Sequence, residues 1–177
     1  MSILVVGLGN ILLQDEGAGV RLVERLEERF EIPDGVEVLD GGTSGMELIH
    51  TIAGRDALIV CDAVHSDRPQ GTVLRIAGEE LPAFFRTKLS PHQLGLSDVL
   101  ATLTLLEKVP PSVVLIGIVP QYLDLGTERR LGEADRQAAE QVIAVALEEL
   151  VDDDRLTVGL HRHAELDGLG IHLFVLV

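Results

Sequence analysis

Four side chains in this sequence have types and positions suited to chemistry: Glu16, Asp40, Asp62 and His92. Each follows or ends a short apolar run, or opens an amphipathic one. In open parallel sheets, ligands bind beyond the carboxyl ends of the strands. The four groups are therefore expected along one edge of a sheet. Two carboxylates with one imidazole leave coordination positions open, as a catalytic or substrate-receiving metal site requires. Mixed oxygen and nitrogen donors suit nickel, zinc, iron or manganese, and the spacing alone does not choose among them. Each residue also has an ordinary structural reading. Asp15 and Glu16 complement the positive N-terminal end of a helix. Asp40 before Gly41-Gly42 is a turn signal, Asp62 suits a cap or turn, and His92 after Pro91 suits a solvated helix start.

The elements that must position these groups alternate along the chain. Ile3 to Val6, Val36 to Leu39, Ala57 to Cys61 and Val113 to Val119 read as strands, and Thr72 to Ile76 as an edge strand. The run ending at Cys61 is continuously apolar, as in a strand covered on both faces. Between Gly17 and Phe30, Val20, Val23, Leu26 and Phe30 form one helical stripe. Ser44 and Glu47 have capping-box spacing for a helix reaching about Ala53. A third helix follows Ser90-Pro91-His92, with Leu96, Val99, Leu100 and Leu103 on its apolar stripe. Gln121 to Gly132 reads as loop and Glu133 to Leu150 as a long helix. This rhythm predicts an α/β fold: a three-layer α/β/α sandwich around a mainly parallel twisted sheet of about five strands. Residues 1–150 make one domain, and 151–177 a C-terminal extension that the pattern assigns to no element.

Composition narrows the function. The 177 residues carry 29 acidic against 14 basic side chains, a net charge of −15. Such a surface repels nucleic acid and anionic membranes and suits a cation or a basic protein segment. One cysteine, Cys61, precludes an intramolecular disulfide and fits a reducing compartment. With no secretory leader pattern and no apolar span, the expectation is a cytoplasmic protein, adequate as a monomer. Cys61 within an apolar run reads as core, and neither Ser44 nor Ser90 has an evident neighbouring base. His65 lies in a polar loop, and His161 and His163 lie in the terminal extension. Gly7-Leu8-Gly9 suggests a dinucleotide turn, but position 12 is Leu12 and the turn runs into Asp15-Glu16, which disfavour phosphate.

Five blocks occur in order: GLGNILLQDEGAGV, LDGGTSGMELI, IVCDAV, KLSPHQLGLSDVL and LIGIVPQ. Together they resemble the hydrogenase maturation proteases, over about residues 2–150. The resemblance implies an endopeptidase that removes a C-terminal extension from the large-subunit precursor of a nickel-iron hydrogenase after nickel insertion. It carries the metal-site residues onto Glu16, Asp62 and His92, and the aspartate before paired glycines onto Asp40. The nickel is expected to arrive with the precursor rather than to reside in the enzyme. On this view Asp40, Glu16 and Asp62 serve an aspartyl-type or metal-assisted hydrolysis, with Asp40 managing protons or holding the peptide. Gln121 departs from the acidic residue common after the proline of the family's last block, and the terminal extension matches nothing in the family. Two other classes fit the residues: a nickel-binding chaperone that leaves the precursor uncut, and a nucleotide-binding module.

Overall fold

The computed structural model describes residues 1–30, 32–78, 80–81, 91–121 and 144, with the side chains of Arg29 and of residues 91–94 outside the description. Five strands form one sheet: β1 (Ile3–Leu8), β2 (Val36–Gly42), β3 (Ala57–Ala63), β4 (Val73–Ala77) and β5 (Ser112–Ile118). Their spatial order is β2-β1-β3-β5-β4. β2, β1, β3 and β5 are parallel, and β4 pairs antiparallel with β5 at the edge. The expected α/β fold with a mainly parallel five-stranded sheet is what forms. Among the described residues no helix is long and apolar enough to cross a membrane.

Alternation along the strands sends side chains to two separate cores. Ile3 and Val5, Ile59 and Cys61, and Val114 and Ile116 pack against Leu22, Val23 and Leu26 of helix α1 (Ala18–Arg29). Leu4 and Val6, Leu58 and Val60, and Leu115 pack against the opposite layer. That layer comprises Ile52 of the short helix α2 (Ile49–Ile52) and Leu96, Val99 and Leu103 of α3 (Pro91–Leu105). β1 and β3 are buried along their whole length, which explains their uninterrupted apolar sequence. Each fully buried Leu or Ile here contributes on the order of 2 kcal/mol.

Several boundaries differ from the sequence expectation. β1, β2 and β3 run two or three residues further, through Leu8, Gly42 and Ala63. The ladder is made by backbone groups, so it passes through Asp40, Gly41 and Asp62 although those residue types signal turns. The Ser44–Glu47 capping box does not form. Ser44 instead donates its N–H to the Gly41 carbonyl, and Glu47 accepts from the N–H of Gly45 at 3.0 Å, ahead of a single 3-10 turn over Met46–Leu48. The loop expected after Gln121, the helix over Glu133–Leu150 (Ala144 excepted) and the extension 151–177 lie outside the described residues.

Two glycines let α1 sit directly on the sheet. A Cβ at Gly19 would lie 2.0 Å from the Cys61 carbonyl oxygen and 2.4 Å from that of Leu8. One at Gly7 would lie 2.3 Å from the carbonyl oxygen of Gly19. These obstacles are rigid backbone. Gly19→Ala is expected to lose about 3 kcal/mol of stability in urea denaturation, because the helix must lift from the strands. Gly54→Ala, at φ +76 with nothing within 4 Å, is the control. It should lose only about 1 kcal/mol, the cost of a left-handed alanine.

Candidate functional site

The strand order places a reversal between β1 and β3. The chain leaves β1 for α1 on one face, while the connections that include α2 and α3 cover the other. The loop leaving β1 leads toward β2 on one side of the reversal and the loop leaving β3 leads toward β4 on the other, so the two diverge and leave a crevice, the usual ligand position in open α/β sheets. Glu16 stands in the loop beyond β1, and Asp62 is the penultimate residue of β3. The sequence positions chosen for chemistry flank the reversal.

Glu16 lies in a single 3-10 turn, Gln14–Gly17, that leads into α1. Asn10 shapes the approach: its side chain accepts from Leu12 N–H at 3.0 Å, and its carbonyl from Leu13 N–H. Gln14 then takes a left-handed conformation at φ +43, which costs a non-glycine residue on the order of 1 kcal/mol. The turn is pressed onto the end of β1, since a Cβ at Gly9 would lie 1.9 Å from the Glu16 carbonyl oxygen. Three residues on, Gly19 touches the Cys61 carbonyl, next to Asp62. Glu16 and Asp62 are thereby tied to the same edge through backbone contact.

Asp62 is the one buried charged residue among the described core, at 2% exposure. Its Oδ1 accepts from the N–H of Ala63 at 2.7 Å. Its Oδ2, like Oε2 of Glu16, is shut off from solvent. Shielded carboxylate oxygens at a crevice are hard anionic donors suited to a cation. Asp62 belongs to the alternation that faces the α3 layer, and α3 begins at this same edge. A Cβ on Gly95 would lie 3.3 Å from the Cα of Gly45, in the turn beyond β2. The His92 backbone is one helical turn before Gly95. Its side chain lies outside the described residues, and among those described no three His, Cys, Asp or Glu side chains form a metal-holding group.

Asp40 stands in register with Gly7, which in turn pairs with Cys61, so it occupies the same edge one strand out. It is exposed. The register slips after Gly7, with Leu8 opposite Gly42, so Gly41 is the extra residue of a bulge. Bulges re-aim side chains and recur beside functional sites. A Cβ on Gly41 would meet Leu8 and Val6 side-chain carbons at 2.8 Å, and Gly42 has φ +52 while donating to Asp40 Oδ1 at 2.9 Å. The paired glycines are required by this geometry.

One contact has no counterpart in the sequence reading. Asp15 Oδ2 accepts the backbone N–H of Gln121 at 2.8 Å, joining the 3-10 turn to the exit of β5 across 106 residues. Because Gln121 contributes its backbone, its departure in side-chain type leaves this contact intact.

The geometry disfavours the dinucleotide and thiol chemistries. Carbonyl oxygens of Glu16 and Gly19 fill the space beside Gly9 and Gly7, where a pyrophosphate requires donors. Cys61 is fully buried. Desolvation first, and the adjacent Asp62 charge second, push its thiol far above its ordinary value near 9.0. His65 is exposed in the loop after β3.

Comparison with known proteins agrees with this architecture. A family model for hydrogenase maturation proteases matches residues 20–149. A hydrogenase 2 maturation protease of Escherichia coli (strain K12) is 47% identical over 155 residues, covering 86% of this chain and 94% of that protein. The hydrogenase expression/formation protein HoxM of Azotobacter vinelandii is 42% identical over 153 residues, covering 85% and 73% respectively. Among solved structures, the hydrogenase maturating endopeptidase HybD of E. coli aligns with a TM-score of 0.78 at 46% identity, covering 84% of this chain and 93% of that one.

The Cys61 environment makes a direct prediction. In native protein at pH 8, iodoacetamide should leave Cys61 unmodified, while urea-unfolded protein should gain one adduct by intact mass. Because the folded thiol is held above its unfolded value, stability is complete below about pH 9 and declines as pH rises past it, where only the unfolded chain ionises. Native labelling at the unfolded rate would contradict the burial.

Proposed function

The chain belongs to the hydrogenase maturation protease family, and from that premise we propose that it is a nickel-dependent endopeptidase acting on a large-subunit precursor of a nickel-iron hydrogenase. Peptide-bond hydrolysis follows from the family; the nickel requirement and the C-terminal cut are the proposal. The observation that carries it is the seating of Glu16 and Asp62 on either side of the β1/β3 reversal, with carboxylate oxygens shielded from water.

In this reading Glu16, Asp62 and His92 complete the coordination of a nickel ion that is part of the substrate. The donor chemistry fits: two carboxylates and an imidazole match a divalent first-row ion already held in part by thiolates. Precursor lacking the ion offers these residues nothing to bind, so cleavage becomes conditional on loading. Bound nickel supplies Lewis acidity toward the scissile carbonyl or a water. Asp40, exposed on its bulge at the same edge, accepts a proton from the attacking water or holds the extended peptide. The dense acidic charge of the chain adds long-range attraction for a cationic site on the partner. The working compartment in this reading is the cytoplasm, where a single free thiol persists.

The test is incubation of the purified chain with nickel-loaded and nickel-free precursor, followed by intact mass. Loss of a C-terminal peptide from the loaded form alone is expected. Glu16→Ala, Asp62→Ala and His92→Ala should each lower the rate by at least about 100-fold while the circular dichroism spectrum is retained. Equal cleavage of both precursor forms would remove nickel from the reaction, and wild-type rates in the three variants would remove the site.

A further inference from the structure

The turn that carries Glu16 is weakly self-supporting. It is four residues of 3-10 helix, it has no side-chain cap, and it is entered through a left-handed glutamine. A single turn of this kind does not hold its own shape in water. Van der Waals contact between Gly9 and the Glu16 carbonyl fixes its height above the end of β1, and Gly17 packs on Ile11 of the approach loop. The Asp15–Gln121 hydrogen bond points across the sheet edge, toward the exit of β5. β5 is the strand beside β3, and its Gly117 is the register partner of Asp62.

We propose that Asp15 is a positioning residue for Glu16. By accepting the Gln121 N–H, its carboxylate anchors the Glu16 turn to the β5 exit and thereby sets the lateral position of Glu16 relative to Asp62. The bond has a charged acceptor, the stronger class of hydrogen bond, and it joins the two loops that bracket the β3 terminus. Adjacent residues in this turn divide the work: Asp15 reaches back to the scaffold, and Glu16 serves the crevice. Asp15 itself touches neither nickel nor peptide. The inference rests on the reading of Glu16 as a ligand to precursor-borne nickel.

The experiment uses the full chain and nickel-loaded precursor, with kcat and KM measured by intact mass for Asp15→Ala, Asp15→Asn, Asp15→Glu and Glu16→Gln. Loss of a residue that orients a ligand typically costs about 10- to 100-fold, so D15A should lose that much in kcat without a matching rise in KM. D15N keeps an acceptor oxygen of the same reach and should recover to within about threefold of wild type. D15E keeps the charge and an acceptor but adds a methylene, which displaces the turn; it should fall about tenfold or more in kcat. A residue serving only to hold the fold together would tolerate D15E, and its loss would show in thermal melting instead. Should D15A fail to fold, the contrast between D15N and D15E decides alone. Wild-type kcat in D15E, or D15N as slow as D15E, overturns the positioning role. Glu16→Gln separates the two levels. An inactive E16Q beside a fully active D15E removes only the role of Asp15, whereas a fully active E16Q removes both that role and the ligand reading beneath it.

Discussion

The contact on which the molecule depends is backbone against backbone, where Gly7 and Gly19 allow the start of α1 to rest on the ends of β1 and β3. No side chain separates helix from sheet at that point, and no Cβ fits. Everything in the crevice is measured from it. Glu16 precedes Gly19 by three residues, and Asp62 follows the carbonyl that Gly19 touches. Tight packing of this sort sets the height of a glycine's sequence neighbours above the sheet without recruiting any polar bond. It also accounts for a glycine pattern that imitates a phosphate-binding turn. The same absence of side chains that would admit a ligand admits a helix here.

The sheet order then decides which residues share an edge. Parallel strands place all their carboxyl ends on one side, and the reversal between β1 and β3 parts the loops above them. Asp62 ends the alternation that faces the α3 layer, whereas Glu16 enters on the side of α1. The two carboxylates therefore approach the crevice from opposite layers, and α3 brings His92 to that edge along the backbone. Asp40 comes from a third direction, set by a bulge at an outer strand. Groups drawn from two strands, a turn and a helix start keep their places because the sheet is common to all of them.

Much of this was legible in the sequence, for identifiable reasons. β1 and β3 are covered on both faces, so their apolar runs announced them, and the apolar stripes of α1 and α3 matched the layers they cover. Glu16 and Asp62, each with an ordinary cap or turn reading by itself, stood out through the ordered blocks GLGNILLQDEGAGV and IVCDAV that contain them. Boundaries were less legible, since ladder bonds ignore side-chain type and carry β2 through Asp40-Gly41-Gly42. The bulge at Gly41 has no signature apart from its glycine. Ser44 misled because its spacing to Glu47 satisfies a cap, while the observed turn begins one residue later and uses Gly45. The Asp15–Gln121 bond was invisible for a deeper reason. Its donor is a backbone N–H far along the chain, and no residue type at position 121 apart from proline would change it.

Burial of Asp62 bears on how such a site handles a metal. A carboxylate withdrawn from water has lost hydration that a cation must replace, and a hydrated ion arriving alone must also shed its own water. Exchange of that kind favours small, hard ions only when many oxygen ligands converge at once. An ion that another protein has already stripped of water and held with thiolates has met that cost elsewhere. It presents open positions of the kind that a few oxygen and nitrogen donors can fill. Sparse, recessed ligands are therefore poorly matched to storing a metal and better matched to receiving one in transit. In the proposed reaction, a site with few donors among the described residues would make cleavage depend on the state of its substrate.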